Sequence, residues 1–309
     1  MSEKIESYAK SWNVPSHKTM IITGGNSGVG FELIRHVLRR DYRIIMAVRS
    51  FERGNKAREK LLEEFPSAQI EVWHLDLASL DSIYSFCDKV IRDGVDFDVF
   101  YCNAGVYRIP YQEGPYGVEM TAWVNFVANY ILYEILREYA RSLPHQVRWI
   151  QTSSVVARFG KFKESDFFPR ERYNKIKAYE NSKAAVNGLF LRMVEDCRNS
   201  NILPLAVHPG TTHTPLIEKA YPKKGINRAA QIFVRSIFHS PEKASLSTLY
   251  VLREEIQQPC FCGPRGLFHM SGYPKIYKLY KGNLKGMDKI FAKLKEILAE
   301  TEYKDKGGC

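Results

Sequence analysis

Short apolar runs alternate along this chain with longer stretches in which apolar residues return at helical spacing. Residues 19–22, 43–48, 70–74, 98–101, 147–152 and 203–207 are runs of strand length, rich in Val, Ile and Leu. Between them, residues 31–40 put Ile34, Val37 and Leu38 on one helical face, and 57–64, 79–92 and 119–141 also read as helices. Residues 179–197 form another, with Ala185, Leu189 and Met193 along one stripe. Apolar strands that alternate with helices predict an α/β protein, a doubly wound parallel sheet covered on both faces. No linker, repeat or low-complexity tract divides the chain. A single domain over 18–262 is expected, with a polar segment 1–17 before it and a basic C-terminal helical extension, 263–309, after it.

In that extension Met287, Ile290, Phe291, Leu294, Ile297 and Leu298 form an amphipathic stripe opposed by Lys285, Lys289, Lys293 and Lys295. Such a helix docks on its own domain or lies on a membrane surface. Glu296, Glu300 and Glu302 weigh against the membrane.

Composition narrows the function. At 309 residues, 45% apolar and 26% charged, the chain has the balance of a globular protein that buries a sizeable core. Its net charge of +11 admits an anionic cofactor, membrane surface or nucleic acid. Nucleic acid is set aside, because the basic residues are scattered and lack a recognition motif or interleaved stacking aromatics. The six cysteines show no Cys-x-x-Cys pair, so no metal site is expected. Reduced thiols and a polar start, residues 1–18, without a signal-peptide core fit a cytoplasmic protein. No run approaches the roughly 20 apolar residues needed to span a bilayer.

Two patterns carry chemistry. Thr23-Gly24-Gly25-Asn26-Ser27-Gly28-Val29-Gly30 follows an apolar run and opens a helix. That is the sequence form of a Rossmann-type dinucleotide site, where Gly24, Gly28 and Gly30 let the backbone approach a pyrophosphate at a helix N-terminus. The second is Tyr179 and Lys183, one helical turn apart. An ammonium beside a phenol favours the phenolate and makes a proton donor and acceptor usable near neutral pH. Arg49 ends the second strand where an NAD site usually carries an acid for the ribose diol; a guanidinium there suits a 2′-phosphate, so NADP is the expected cofactor. Arg53 and Lys56 add to that field. Ser153 and Ser154 follow the fifth strand, where a hydroxyl faces a ligand or caps a turn.

These residues, with Asp76-Leu77, Cys102-Asn103-Ala104-Gly105, Asn125 and His208-Pro209-Gly210, resemble the short-chain dehydrogenase/reductases in family order. Within them the chain is similar to the retinol-dehydrogenase-like branch, which includes relatives of protochlorophyllide reductase. Ala47-Val48-Arg49, the stretch around Trp123-Val124-Asn125-Phe126 and the insertion between Ser154 and Tyr179 carry that likeness. The resemblance implies a catalytic set of Asn125, Ser154, Tyr179 and Lys183. Tyr179 would act as general acid in reduction and base in oxidation, with Lys183 lowering its pKa and binding the nicotinamide ribose. Ser154 would polarise the substrate oxygen, and Asn125 would kink its helix and hold a relay water. For the cofactor, the resemblance implies Gly24, Asn26, Ser27, Gly28, Val29, Gly30 and Arg49. It adds Asp76 and Leu77 at the adenine, then Asn103, Ala104 and Gly105 near the central strands. Pro209, Gly210 and Thr212 would stand at the nicotinamide end. The chain departs from the branch at Cys102, in place of a second Asn, and at Ala128-Asn129-Tyr130, where Gly-His-Phe is common.

The implied function is NADP(H)-dependent hydride transfer between nicotinamide and a carbonyl or alcohol. The alternative is a non-catalytic dinucleotide-binding scaffold or redox sensor of the same fold, against which the filled catalytic positions argue. Residues 210–230 lie beyond the sixth strand and are placed to cover a ligand. The apolar residues from Thr214 to Ile226, with Val106, Tyr107, Ile109, Pro110 and Tyr111, suit a lipophilic aldehyde or ketone. A homo-oligomer is expected from the family's long helices.

Overall fold

The computed structural model describes residues 3–160, 173–212, 240–266, 269–279 and 286–300. Eight strands form one sheet in the order β3-β2-β1-β4-β5-β6-β7-β8. They are β1 (Thr19–Thr23), β2 (Arg43–Val48), β3 (Ile70–His74), β4 (Val99–Cys102), β5 (Val147–Thr152), β6 (Ile202–Val207), β7 (Cys260–Pro264) and β8 (Pro274–Tyr277). All pairings are parallel except the last, in which β8 runs against β7 with Cys262 opposite Ile276. The chain winds outward from β1 to β3, then returns to place β4 on the other side of β1. That reversal opens a crevice at the carboxyl ends of β1 and β4, where ligands bind in such sheets.

Two apolar layers sandwich the sheet because neighbouring strand residues face opposite sides. Met20 and Ile22 pack beneath α1 (Glu3–Lys10), α2 (Gly28–Leu38), α3 (Phe51–Glu64) and α7 (Pro241–Val251). Ile21 faces the layer of α4 (Leu80–Arg92), α5 (Met120–Ser142), α6 (Lys175–Asp196) and α8 (Met287–Glu300). Helix starts follow capping side chains: Ser50 accepts from Arg53 N, Ser79 from Ser82 N, and Asn174 from Ile176 N and Lys177 N. These caps explain why α3 and α6 begin a turn before their apolar stripes.

The flanking segments join these layers. Ile5, Ala9 and Val14 are buried in the core that holds β1, and β7 and β8 complete the sheet. The stripe of α8 is buried too: Met287, Ile290, Phe291 and Leu294 share a core with α5 and α6. Phe291 meets Phe126 and Tyr130 edge-on or tilted, and Arg192 lies over its ring at 4.9 Å. The amphipathic helix therefore docks on the domain. No helix among the described residues is long and apolar enough to cross a membrane. The expected cover from Thr214 to Ile226 lies outside the described residues.

Candidate active site

The glycine loop joins β1 to α2. Gly24 has φ +68 and a Cβ there would lie 2.9 Å from Ala104 Cβ, so only glycine lets the loop cross the end of β4. Gly28, at φ +60, starts α2. Ser27 stands before that helix but its side chain makes no capping bond, which leaves the first amides of α2 for another acceptor. Asn103 pins the loop from β4, its Nδ2 donating to Thr23 O (2.9 Å) and Gly24 O (3.1 Å). Thr23 Oγ1 accepts from Asn103 N and Ala104 N, both at 3.0 Å.

Arg49 is exposed at the end of β2 and has no ion pair among the described residues. Lys56, expected beside it, is instead paired with Glu52 at 2.6 Å. Asp76 folds into a local turn, Oδ1 accepting from Ala78 N at 3.0 Å, and Leu77 O accepts from Trp123 Nε1 at 2.9 Å. An uncapped helix start, a backbone cradle shaped by glycine and an unpaired guanidinium together fit a dinucleotide phosphate.

Ser154, Tyr179, Lys183 and Asn125 come together at the carboxyl ends of β4 and β5. Ser154 begins a 3-10 turn, Val155–Phe159, where its Oγ accepts from Val156 N at 3.4 Å and lies near enough to the Tyr179 phenol to affect its titration. Tyr107 meets the Tyr179 ring edge-on at 4.6 Å. Lys183 is buried and its Nζ donates to Thr152 O at 2.8 Å. Asn125 lies in a π-helical turn of α5, Trp123–Val127, in which Ala128 N bonds Trp123 O. This is the helix irregularity expected at that residue. Its side chain holds the loop after β4 by both ends, accepting from Val106 N (2.7 Å) and donating to Val106 O (3.0 Å). Nδ2 also donates to Ser182 Oγ at 3.0 Å.

The electrostatics differ from the sequence expectation. Desolvation pushes the Tyr179 phenol above its ordinary value, and the Ser154 hydroxyl pulls it back. Lys183 aims its ammonium at the Thr152 carbonyl and stands 6.0 Å from the centre of the Tyr179 ring. Burial brings Lys183 itself down to about 8. Burial therefore dominates at Tyr179, with the Ser154 hydroxyl opposing it. Cys102, also facing Lys183, is pushed up to about 12 by burial and stays a neutral thiol.

At the far end Gly210 takes φ +75, and Thr211 donates to Met270 O through both N (3.0 Å) and Oγ1 (3.1 Å). Thr212 is buried and its hydroxyl turns back on Pro209 O at 3.3 Å. Sequence reasoning missed Glu119 and Tyr173. Glu119 accepts from Ala122 N at the start of α5, and from Thr121 Oγ1 and Tyr173 OH; Tyr173 also reaches Ile109 O. This clamp ties the loop after β4 to the start of α6. Its sequence signal is an acid at a helix start, which is too common to single out.

The sequence matches the profile of the short chain dehydrogenase family over residues 18–225. The chain belongs to that family. Retinol dehydrogenase 14 of Mus musculus is 33% identical over 210 residues, 64% of this chain, and the match spans 62% of the mouse protein. Polyprenol dehydrogenase of Danio rerio is 28% identical over 253 residues, 79% of this chain and 78% of its own length. An uncharacterized protein of Mycobacterium paratuberculosis superposes with a TM-score of 0.72 at 27% identity, covering 96% of this chain and 98% of that one. In this short-chain dehydrogenase the family's Rossmann-type sheet, its glycine loop and its Tyr-Lys turn stand at one crevice.

Proposed function

We propose that this short-chain dehydrogenase transfers a hydride between NADP(H) and a lipophilic aldehyde or ketone, with Tyr179 moving the proton. The observation that carries the reading is the convergence of Ser154, Tyr179 and Lys183 beside the glycine loop. When bound, the nicotinamide supplies the hydride. The first amides of α2 and Arg49 would hold the phosphates, and Gly105 and Gly210 would line the nicotinamide end.

Each residue's part follows from its place. Ser154 lies close enough to the Tyr179 phenol to lower its pKa, so a carbonyl oxygen between the two hydroxyls would receive two donors. Tyr179 delivers its phenolic proton to that oxygen in reduction and takes it back in oxidation. Lys183, buried one turn on, would supply positive charge that favours the phenolate.

Apolar surface at the mouth supports the substrate class. Tyr107 and Tyr111 come from the loop after β4; exposed Phe159 and Ile176 lie on the segments that carry Ser154 and Tyr179. The relatives named for retinol and polyprenol act, by those names, on long apolar alcohols. Kinetics on saturated aldehydes of growing chain length with NADPH test the reading. Specificity constants are expected to climb with each added methylene, by about fourfold where the pocket buries it. Flat or falling constants, with polar sugars turned over well, would remove the lipophilic reading.

A further inference from the structure

We propose that Asn129 is a positioning residue for the Tyr179–Lys183 pair: its carboxamide fixes the main chain of Asn125, and Asn125 fixes the turn of α6 that carries both side chains. The inference rests on the function proposed above.

Asn129 is 3% exposed and its Nδ2 donates to Asn125 O at 2.8 Å. Its Oδ1 is buried with no partner among the described residues. Asn is a weak helix former, and an apolar side chain would fill this place without an unsatisfied oxygen. What the carboxamide adds is the bond back to Asn125. That bond falls beside the π-helical turn, where Ala128 N reaches past the usual partner to Trp123 O.

From Asn125 the contacts run to the reacting groups. Asn125 Nδ2 donates to Ser182 Oγ, and Ser182 Oγ donates to Tyr179 O at 2.8 Å. Ser182 sits between Tyr179 and Lys183 on α6, so this bond sets the height of both against α5. A second geometry ties Asn125 to Lys183. A Cβ placed on Gly105 would lie 2.8 Å from Asn125 Oδ1 and 3.7 Å from Lys183 Nζ, so the two groups face one narrow gap. The negative end of the carboxamide dipole there favours the ammonium. Lys183 is otherwise faced by the Cys102 thiol of β4, the Thr152 carbonyl of β5 and Tyr179 on its own helix.

Asn129→Ala and Asn129→Ser test this as a pair, since both leave nearly the same space. Serine in a helix bonds back to the carbonyl one turn earlier and so keeps the donor; alanine does not. The first readout needs no cofactor: the NMR titration of the Lys183 ε-carbon in the ligand-free protein, assigned with Lys183→Arg. With the wild-type midpoint near 8, Asn129→Ala is expected to lower it by about half a unit and Asn129→Ser to restore it. The second is NADPH oxidation with the best aldehyde. Asn129→Ala should lower kcat about tenfold with KM held within about twofold, and Asn129→Ser should recover most of that loss. Alanine and serine variants that titrate alike, whether both match the wild type or both depart from it, would overturn the proposal. A wild-type protein that reduces no carbonyl would remove the proposed function, and the lysine titration would still decide the role of Asn129.

Discussion

Lys183 shows how far single residues were legible. Its spacing from Tyr179 placed both on one helical face, and Ser154 was identified as the hydroxyl of the pair that meets them. Charge was not legible, because a pKa depends on burial and on where an ammonium points. Sequence spacing predicts a lysine that lowers the phenol; the structure gives a buried lysine turned to Thr152, itself brought down to about 8. Asn129 stood out in the sequence only as a departure from the branch, and Glu119 not as a site residue, because their partners lie on a carbonyl and on a distant tyrosine. The role proposed for Arg49 rests on the absence of an acid at the end of β2. Replacing it with Asp should weaken NADPH binding by about tenfold or more while NADH changes little, since one charge-assisted bond to a phosphate contributes on this scale. Titration of both cofactors by fluorescence checks this, and equal wild-type affinity for the two would contradict it.

Among the elements, the six parallel strands β1 to β6 were legible because buried strands of an α/β sheet read as continuous apolar runs. β7 and β8 were not. Cys260–Pro264 mixes cysteine, glycine and proline, and β8 is short with two exposed residues, so neither has the pattern of a buried strand. The irregularity in α5 was expected from family resemblance at Asn125, and no propensity in Trp123–Val127 would have disclosed it. For α8, periodicity gave the stripe but not its partner. Gly188 of α6 supplies part of the answer: a Cβ there would come within 2.5 Å of Met287 Cε, so the glycine makes room for the docked helix. Phe291→Ala should therefore cost about 3 kcal/mol, the usual price of truncating a buried aromatic. The melting temperature should fall by several degrees, with no change in sedimentation with anionic vesicles. An unchanged melting temperature with reduced vesicle binding would mean that the stripe serves a membrane.

At the scale of the whole molecule, the order of the strands makes the crevice, and the crevice collects residues that lie far apart in sequence: Gly24, Asn103, Asn125, Ser154 and Tyr179. The alternation of strands and helices foretold that sheet, and the reversal at β1 and β4 follows from its doubly wound form. The conformation of the loops around the mouth depends on long-range ties such as Tyr173 to Ile109, which no local pattern encodes. The central proposal is that a hydride passes directly between a nicotinamide and a carbonyl while Tyr179 supplies the proton. The most direct measurement uses NADPH deuterated at C4, prepared separately on each face, with a long-chain aldehyde, and reads the alcohol by mass spectrometry. The wild-type protein should move deuterium from one face only to the carbinol carbon, and Tyr179→Phe should bind NADPH yet lower that transfer by at least about a hundredfold. Alcohol formed without label, or label transferred equally well by Tyr179→Phe, would contradict the account.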